Sequence, residues 1–170
     1  IGYELFRRAV VRVDMSAPSV SIHDPATFTE ALGGVALRWE PLVLHERHPH
    51  VRARYEGVNE GLFRIDTGAG SAAVVFHSPA VEKRRLLENR VLSDVALGGA
   101  GGQLSAARMG TVRDFEIGGL RLPAVSGVFA AKGSGALDDP YSEGTIGGGI
   151  VGSFALVFDY ERRRIAFLPR

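Results

Sequence analysis

The sequence predicts a mostly-β fold with one or two short helices. Two features of the composition and an internal repeat lead to this prediction. Half of the 22 glycines cluster at residues 98–102, 118–119 and 144–152, between short apolar runs, and such clusters are typical of the tight turns of a β domain. Hydrophobic residues make up 45% of the 170 residues. That fraction is enough for the core of one domain, or of one domain and part of another.

The internal repeat links the two ends of the sequence. Ile1–Asp14 aligns without a gap on Ile146–Asp159, with Ile-Gly at the start and Asp at the end of both segments. Apolar positions match between these anchors and continue beyond them. We therefore predict that residues 1–28 are the C-terminal tail of a preceding, truncated lobe. Residues 29–170 are predicted to form one complete lobe.

The elements of this second lobe follow in order. Alternating apolar and polar residues predict a strand at 51–56, and the glycine-rich segment 57–61 predicts a hairpin turn. Ser78-Pro79 is a helix start, which predicts a short helix to about Asn89. A polar loop is expected at 132–143. Further strands are predicted at 62–65, 71–76, 92–97, 103–112 and 125–130, with hairpins at 115–122 and 154–168.

Composition excludes several classes of protein. The formal net charge of +1 gives no reason to expect nucleic acid or an anionic membrane as the main partner. Without cysteine the chain has no disulfide and no thiolate metal site. No apolar run reaches the roughly 18 residues of a membrane-spanning helix. No signal peptide is visible, and the cellular location stays open.

The loop Asp66-Thr67-Gly68-Ala69-Gly70 carries the functional prediction. It follows an apolar strand and is followed by a second apolar segment, and Ile146-Gly147 come about eighty residues later, before a short helical stretch and a strand. This order of features resembles the retropepsin-like aspartic proteases, especially bacterial relatives built from tandem lobes. The resemblance covers most of residues 31–170.

The resemblance implies a retropepsin-like, closed β-barrel lobe of an aspartic endopeptidase. Asp66 would be the catalytic carboxylate, and the Thr67 hydroxyl would hold the loop by hydrogen bonds. Gly68 would permit a close approach of two such loops. Ala69 and Gly70 complete the loop. Two further sets of residues are implied: Ile146 and Gly147 as the element packed behind the loop, and Gly99, Ala100, Gly101 and Gly102 as the flap that closes over the substrate.

The mechanism of this family needs two carboxylates that share one proton, and no metal or organic cofactor. The chain contains one Asp-Thr-Gly tripeptide and no Asp-Ser-Gly. The second carboxylate would therefore come from a second copy, as in a homodimer, or from a second lobe encoded upstream of Ile1. The tail at 1–28 favours the upstream lobe. The expected partners are that lobe and a polypeptide substrate, and bacterial relatives of this type are often periplasmic or otherwise exported.

Two further expectations concern activity. Ala69 stands where pepsin-like lobes carry Ser, and it cannot donate a hydrogen bond to the charged carboxylate. This predicts a less acidic pH optimum than that of pepsin-like enzymes. The alternative to a protease is a catalytically inactive module of the same fold that serves for dimerisation or peptide binding. A third possibility is an enzyme that becomes active only after assembly with another domain.

Several other motifs have a competing interpretation. Residues 147–152 match G-x-G-x-x-G, but no strand precedes them and no long helix follows, so a dinucleotide site is not expected. His45, His48 and His50 suggest a metal, although a polar face of an exposed strand explains them equally well. Three other groups have structural explanations: Asp138-Asp139 as loop residues rather than a catalytic pair, Arg162–Arg164 as a solvated turn, and Trp39 as core or lobe-interface packing.

Overall fold

The computed structural model of the chain describes residues 2–98 and 104–169. Within these residues the protein is mostly β, as predicted. Its short helices are α1 (Tyr3–Phe6), α2 (Ser78–Lys83) and α3 (Gly148–Val151), with a 3₁₀ turn at Gly135–Asp138. No helix in the described ranges has the length and apolar character needed to cross a membrane. The strands are β1 (Val10–Asp14), β2 (Ser19–His23), β3 (Ala31–Leu32), β4 (Val35–Ala36), β5 (Trp39–Pro41), β6 (Val43–His45), β7 (His48–Tyr55), β8 (Asn59–Ile65), β9 (Val74–Phe76), β10 (Ser93–Gly98), β11 (Leu104–Ile117), β12 (Leu120–Ala130), β13 (Gly144–Ile146), β14 (Phe154–Asp159) and β15 (Arg164–Pro169).

The larger sheet has eight strands in the order β10-β11-β12-β9-β13-β8-β7-β6. Strand β11 also pairs with β7 at Glu116 and Arg54, so strands from the two halves of this sheet meet. The core beneath it is aromatic, because inward-facing positions of neighbouring strands carry large rings that pack edge to face or stacked. The buried rings belong to Tyr55, Phe63, Phe76, Phe115 and Phe129.

The smaller sheet has the order β2-β1-β14-β15-β5 and contains both copies of the sequence repeat. Strands β1 and β14 are antiparallel, and Arg12 lies opposite Val157. These two residues are also matched to each other in the repeat. Hairpins β1–β2 and β14–β15 are therefore related by a local two-fold axis that passes between them.

The repeat extends to the internal register, the helices and a carboxylate. Val13 lies opposite Val20 in the first hairpin, and Phe158 lies opposite Ile165 at the matching place in the second. Helices α1 and α3 also occupy matching residues. The last residue of each first strand is a buried aspartate whose Oδ1 accepts a hydrogen bond from the backbone N–H three residues on. The donors are Ala17 for Asp14 and Arg162 for Asp159.

Some element bounds differ from the prediction. Helix α2 ends at Lys83 rather than near Asn89, because Arg85 and Asn89 adopt left-handed backbone conformations with φ of 55° and 52°. The strand expected at 71–76 begins at Val74, since the residues before it belong to turns that follow Asp66. The segments predicted separately between 103 and 130 form the two long strands β11 and β12.

Candidate active site

Asp66 follows directly after β8, and the backbone around it fixes its position. Its N–H donates to the carbonyl oxygen of Ile146 at 3.1 Å. Its carboxylate oxygen Oδ1 accepts a hydrogen bond from the N–H of Gly68 at 2.9 Å. Asp66 is half-buried, whereas Thr67 and Gly68 are exposed. The loop therefore presents an oriented carboxylate at the surface.

The start of α3 lies directly behind this loop. The N–H of Gly147 donates to Ala73 at 3.0 Å, and that of Gly148 donates to Gly70 at 2.9 Å. A Cβ on Gly147 would lie 2.5 Å from the carbonyl oxygen of Ala72, which is closer than such atoms approach. Glycine is therefore required for this contact. Ile146 and Gly147 thus contact Asp66 and the residues that follow its loop.

A cavity of about 300 Å³ opens in front of Asp66 and Thr67. One wall is α1, the copy of α3 in the repeat, and another is the tip of the β6–β7 hairpin. A larger cleft of about 530 Å³ lies beside Val91 and Met109, but none of its lining residues is titratable, so we centre the site on Asp66. The other residues that line the smaller cavity are Gly2, Tyr3, Phe6, Val13, Arg47, His48, Pro49, Ile65, Phe158 and Tyr160.

The two copies of the repeat differ in burial. In the first copy three large apolar side chains are 40% to 55% exposed, whereas their counterparts in the second copy are at most 7% exposed. We call this exposed set the apolar face of β2. It consists of Val20 and Ile22 on β2 and of Met15 in the turn before that strand, and the counterparts are Tyr160, Ile165 and Phe167.

A polar network that the sequence analysis missed lies among the strands that hold the loop. His77, directly after β9, is fully buried, and its Nε2 lies 3.1 Å from Oγ1 of Thr145 on β13. Arg64 on β8 donates to the same oxygen at 3.3 Å. On the other side, Nδ1 of His77 lies 3.3 Å from Oγ of Ser142, which donates to Oδ2 of Asp139 at 3.0 Å.

The network does not have the geometry of a Ser-His-Asp triad. Ser142 and Asp139 both face Nδ1 of His77, whereas a triad places them on opposite ring nitrogens. Burial, and then the nearby Arg64, lower the pKa of His77, while Asp139 acts in the opposite direction. A single histidine at the end of an apolar strand gives no sequence signal that separates it from an ordinary core residue.

The histidines of the segment 45–50, which suggest a metal in the sequence, have contacts within the protein. His45 stacks on Tyr141 with ring centroids 3.5 Å apart, and His50 is buried with Nδ1 3.0 Å from the carbonyl oxygen of His48. Across residues 2–98 and 104–169, no cluster of three or more His, Asp or Glu side chains has the geometry of a metal site. The G-x-G-x-x-G match coincides with α3, which has four residues.

The remaining predicted residues are located as follows. The flap residues Gly99, Ala100, Gly101 and Gly102 lie outside the described residues. Asp138 and Asp139 lie in the loop before β13, where they accept hydrogen bonds from the backbone N–H groups of Gly133 and Tyr141.

Two surface groups have more specific contacts than expected. Arg162 and Arg164 do not form a purely solvated turn, because both donate to the buried carboxylate of Asp159. The Arg164 guanidinium also lies 4.1 Å from the centre of the Trp39 ring, which packs beside Phe28.

Comparison with known proteins adds little to what the geometry of the site shows. No protein family model and no curated protein matches the chain. Among solved structures, the crystal structure of basic 7S globulin from soybean is similar, with 14% sequence identity and a TM-score of 0.48 over 95% of this chain. The chain spans 50% of the length of that globulin chain. This likeness is too distant to assign a function.

Proposed function

We propose that the chain is a retropepsin-like lobe of an aspartic endopeptidase, with Asp66 as one carboxylate of a catalytic pair. One observation carries the proposal. The oriented carboxylate of the Asp-Thr-Gly loop shares a cavity with α1, which is the repeat's copy of the helix that supports the loop itself. A second loop bound to α1 as the first is bound to α3 would lie across the local two-fold axis from Asp66.

The barrel architecture is part of the same proposal. The pairing of Glu116 with Arg54 joins β11 to β7, and the N–H of Glu56 donates to the carbonyl oxygen of Arg113 at 2.8 Å beside it. These contacts support a closed ring formed by β11, β12, β9, β13, β8 and β7. Such a ring would place Asp66 at one end of the barrel, where a second lobe has access.

A second lobe fits the surface better than a symmetric homodimer does. In a homodimer whose two-fold axis lay beside β14, the β14 strands of the two copies would pair with each other. In this chain β1 already pairs with β14 along that edge. The apolar face of β2 is exposed, although its counterparts, Tyr160 and two residues of β15, are buried by the lobe. We infer that another lobe with an Asp-Thr-Gly or Asp-Ser-Gly loop covers this face and supplies the second carboxylate.

The chemistry then follows from the pair. Two carboxylates about 3 Å apart do not both ionise, so they share a proton. The charged carboxylate takes a proton from a water molecule that attacks the peptide carbonyl carbon. The protonated carboxyl group hydrogen-bonds to the carbonyl oxygen, and a tetrahedral diol forms. Transfer of a proton to the nitrogen breaks the C–N bond and releases an amine and a carboxylic acid.

Replacement of Asp66 by Asn separates the protease from the inactive peptide-binding module. Asn retains an oxygen that accepts from the N–H of Gly68, so the loop keeps its conformation. Hydrolysis of unfolded polypeptides and binding of a peptide whose scissile amide is replaced by a hydroxyl-bearing isostere would be measured side by side, with the second lobe present. A protease loses hydrolysis on this substitution. Equal binding by both proteins, with hydrolysis by neither, would favour the inactive module.

A further inference from the structure

We propose that His77 is a positioning residue for the loop of Asp66 and that protonation of its imidazole loosens this loop in acid. The inference rests on the proposed function only for its effect on catalysis. Its structural part concerns the network of His77, Thr145 and Arg64, which we call the cross-strand tie.

The cross-strand tie spans the three neighbouring strands that carry the loop and its support. His77 directly follows β9, Thr145 is central in β13, and Arg64 lies in β8 two residues before Asp66. The residue after Thr145 is Ile146, whose carbonyl oxygen accepts the N–H of Asp66. The tie therefore acts one residue away from the hydrogen bond that positions the candidate catalytic residue.

The donors and acceptors of the tie fit a neutral imidazole. Arg64 only donates, so the Oγ1 of Thr145 accepts from it, and the Thr145 hydroxyl proton is directed to Nε2 of His77. The proton of the ring is then on Nδ1, where it is donated to Oγ of Ser142. Ser142 in turn donates to Oδ2 of Asp139. With this one assignment of protons, each of the four hydrogen bonds from Arg64 to Asp139 has one donor and one acceptor.

A proton on Nε2 breaks this assignment. Thr145 would then face two cationic donors, Arg64 and the imidazolium, and its own proton would lose its acceptor. The carboxylate of Asp139, 3.7 Å from Nδ1, is the nearest counter-charge, and hydrogen bonds from Tyr141 and Ser142 already occupy it.

The surrounding elements add little compensating charge. His50, on β7 opposite Arg64, is also buried, so its protonation would add a further cation. Glu143, at the entrance to β13, is engaged by Arg84 and Tyr55. Asp138 is held by Ser78 and by the N–H of Gly133.

The direction of the pH effect follows from burial. Burial lowers the pKa of His77, and Arg64 lowers it further, so the folded protein takes up this proton less readily than the unfolded chain. The contribution of His77 is therefore complete above the ordinary histidine pKa of about 6.5. It declines as the pH falls below that value and towards the folded-state pKa.

Amide hydrogen exchange on the full chain between pH 7.5 and pH 5 tests the inference. The readouts are the protection factors, corrected for intrinsic exchange, of the N–H groups of Asp66 and Gly148. In the wild type we expect protection to fall by up to about tenfold per pH unit below pH 6. In His77→Gln, whose amide cannot titrate, protection should fall clearly less than in the wild type, and the remaining fall would come from the buried His50. His23→Gln, which changes a histidine on β2, should behave like the wild type.

A fall in protection for His77→Gln equal to that of the wild type would overturn the inference. Should that variant fail to fold, an NMR titration of the wild-type imidazoles decides. The inference requires His77 to titrate below the ordinary range, at the pH where protection stops falling. Titration within the ordinary range without loss of protection contradicts it. Because no substrate is used, failure of the proposed protease function would leave this result unchanged. In an active two-lobed protein, His77→Gln should also extend the acidic limb of the rate profile.

Discussion

At the residue scale, the environment of Asp66 is built mainly from backbone groups. The N–H of Gly68 and the carbonyl oxygen of Ile146 orient it, and the side chain at position 69 has no hydroxyl group. The carboxylate therefore has no hydroxyl donor at position 69. This is the physical basis for expecting activity at a less acidic pH than in pepsin-like enzymes.

Ala69→Ser tests this expectation. A serine hydroxyl near the carboxylate donates a hydrogen bond to its charged form, so the variant should work at lower pH than the wild type. We expect the acidic limb of the pH–rate profile of the two-lobed protein to move by about one unit. Ala72→Ser, a substitution of the same kind outside the loop, is the control. An unchanged profile for Ala69→Ser would mean that the hydroxyl does not reach the carboxylate.

Asp159 provides a second prediction at this scale, for stability. It is 1% exposed and accepts hydrogen bonds from Arg162 and Arg164. Asp159→Asn should therefore lower the free energy of unfolding by about 1–3 kcal/mol in urea titrations at pH 7. Asp114→Asn changes an exposed carboxylate that pairs with Arg121, and it should cost less than about 1 kcal/mol.

The cost of Asp159→Asn should depend on pH. Burial opposes ionisation of Asp159, but the hydrogen bonds from Arg164 and Arg162 outweigh it and hold the pKa below its usual range. The stabilisation is thus complete above the ordinary Asp pKa of about 4 and is lost as the pH falls through the folded-state pKa. The difference between wild type and variant should shrink in strong acid. A difference that is constant down to pH 2 would contradict this.

At the element scale, the contact between α3 and the aspartate loop requires glycine. Gly147→Ala would force a Cβ against the carbonyl oxygen of Ala72, and we expect a loss of about 1–3 kcal/mol in the free energy of unfolding. Gly2 is the matching residue of the repeat, and a Cβ there meets no atom within 4 Å. Gly2→Ala should therefore change stability by less than about 0.5 kcal/mol. Equal losses for the two variants would contradict the difference between α1 and α3.

The sequence was informative about elements whose signals are local. The apolar run 62–65 that ends at Asp66 lies within β8, and the Gly118-Gly119 pair turns β11 into β12. The length of α2 was not predictable, because the left-handed backbone at Arg85 depends on tertiary contacts rather than on residue preference. Similarly, the start of β9 depends on hydrogen bonds that hold residues 70–73 to α3.

The candidate site, too, could be predicted from the sequence only where its signals are local. Its loop forms a contiguous motif and was therefore visible in the sequence. The cross-strand tie brings together Arg64, His77 and Thr145, which are up to 81 positions apart in the chain. No pattern in one sequence links such residues, because their proximity follows from the parallel pairing of β13 with β8 and its antiparallel pairing with β9.

At the scale of the whole molecule, the main feature is the local two-fold axis between the two copies of the repeat. It relates hairpin β1–β2 to β14–β15 and α1 to α3, but only the second copy buries its large apolar side chains against the larger sheet. The apolar face of β2 and the cavity beside α1 lie where the covering lobe of the first copy would be. This is the surface that the proposed second lobe would cover.

The most direct test of the central claim uses the repeat itself. In a tandem protein, residues 29–145 are placed ahead of residue 1, so that Thr145 joins Ile1 as it normally joins Ile146. This protein carries two aspartate loops in equivalent positions, and the measurement is its rate of hydrolysis of an unfolded polypeptide. We predict hydrolysis, with loss of at least about a hundredfold when Asp66 is replaced by Asn in either lobe alone. A folded tandem protein without hydrolysis, or with a rate that does not depend on Asp66, would contradict the assignment of Asp66 as a catalytic carboxylate.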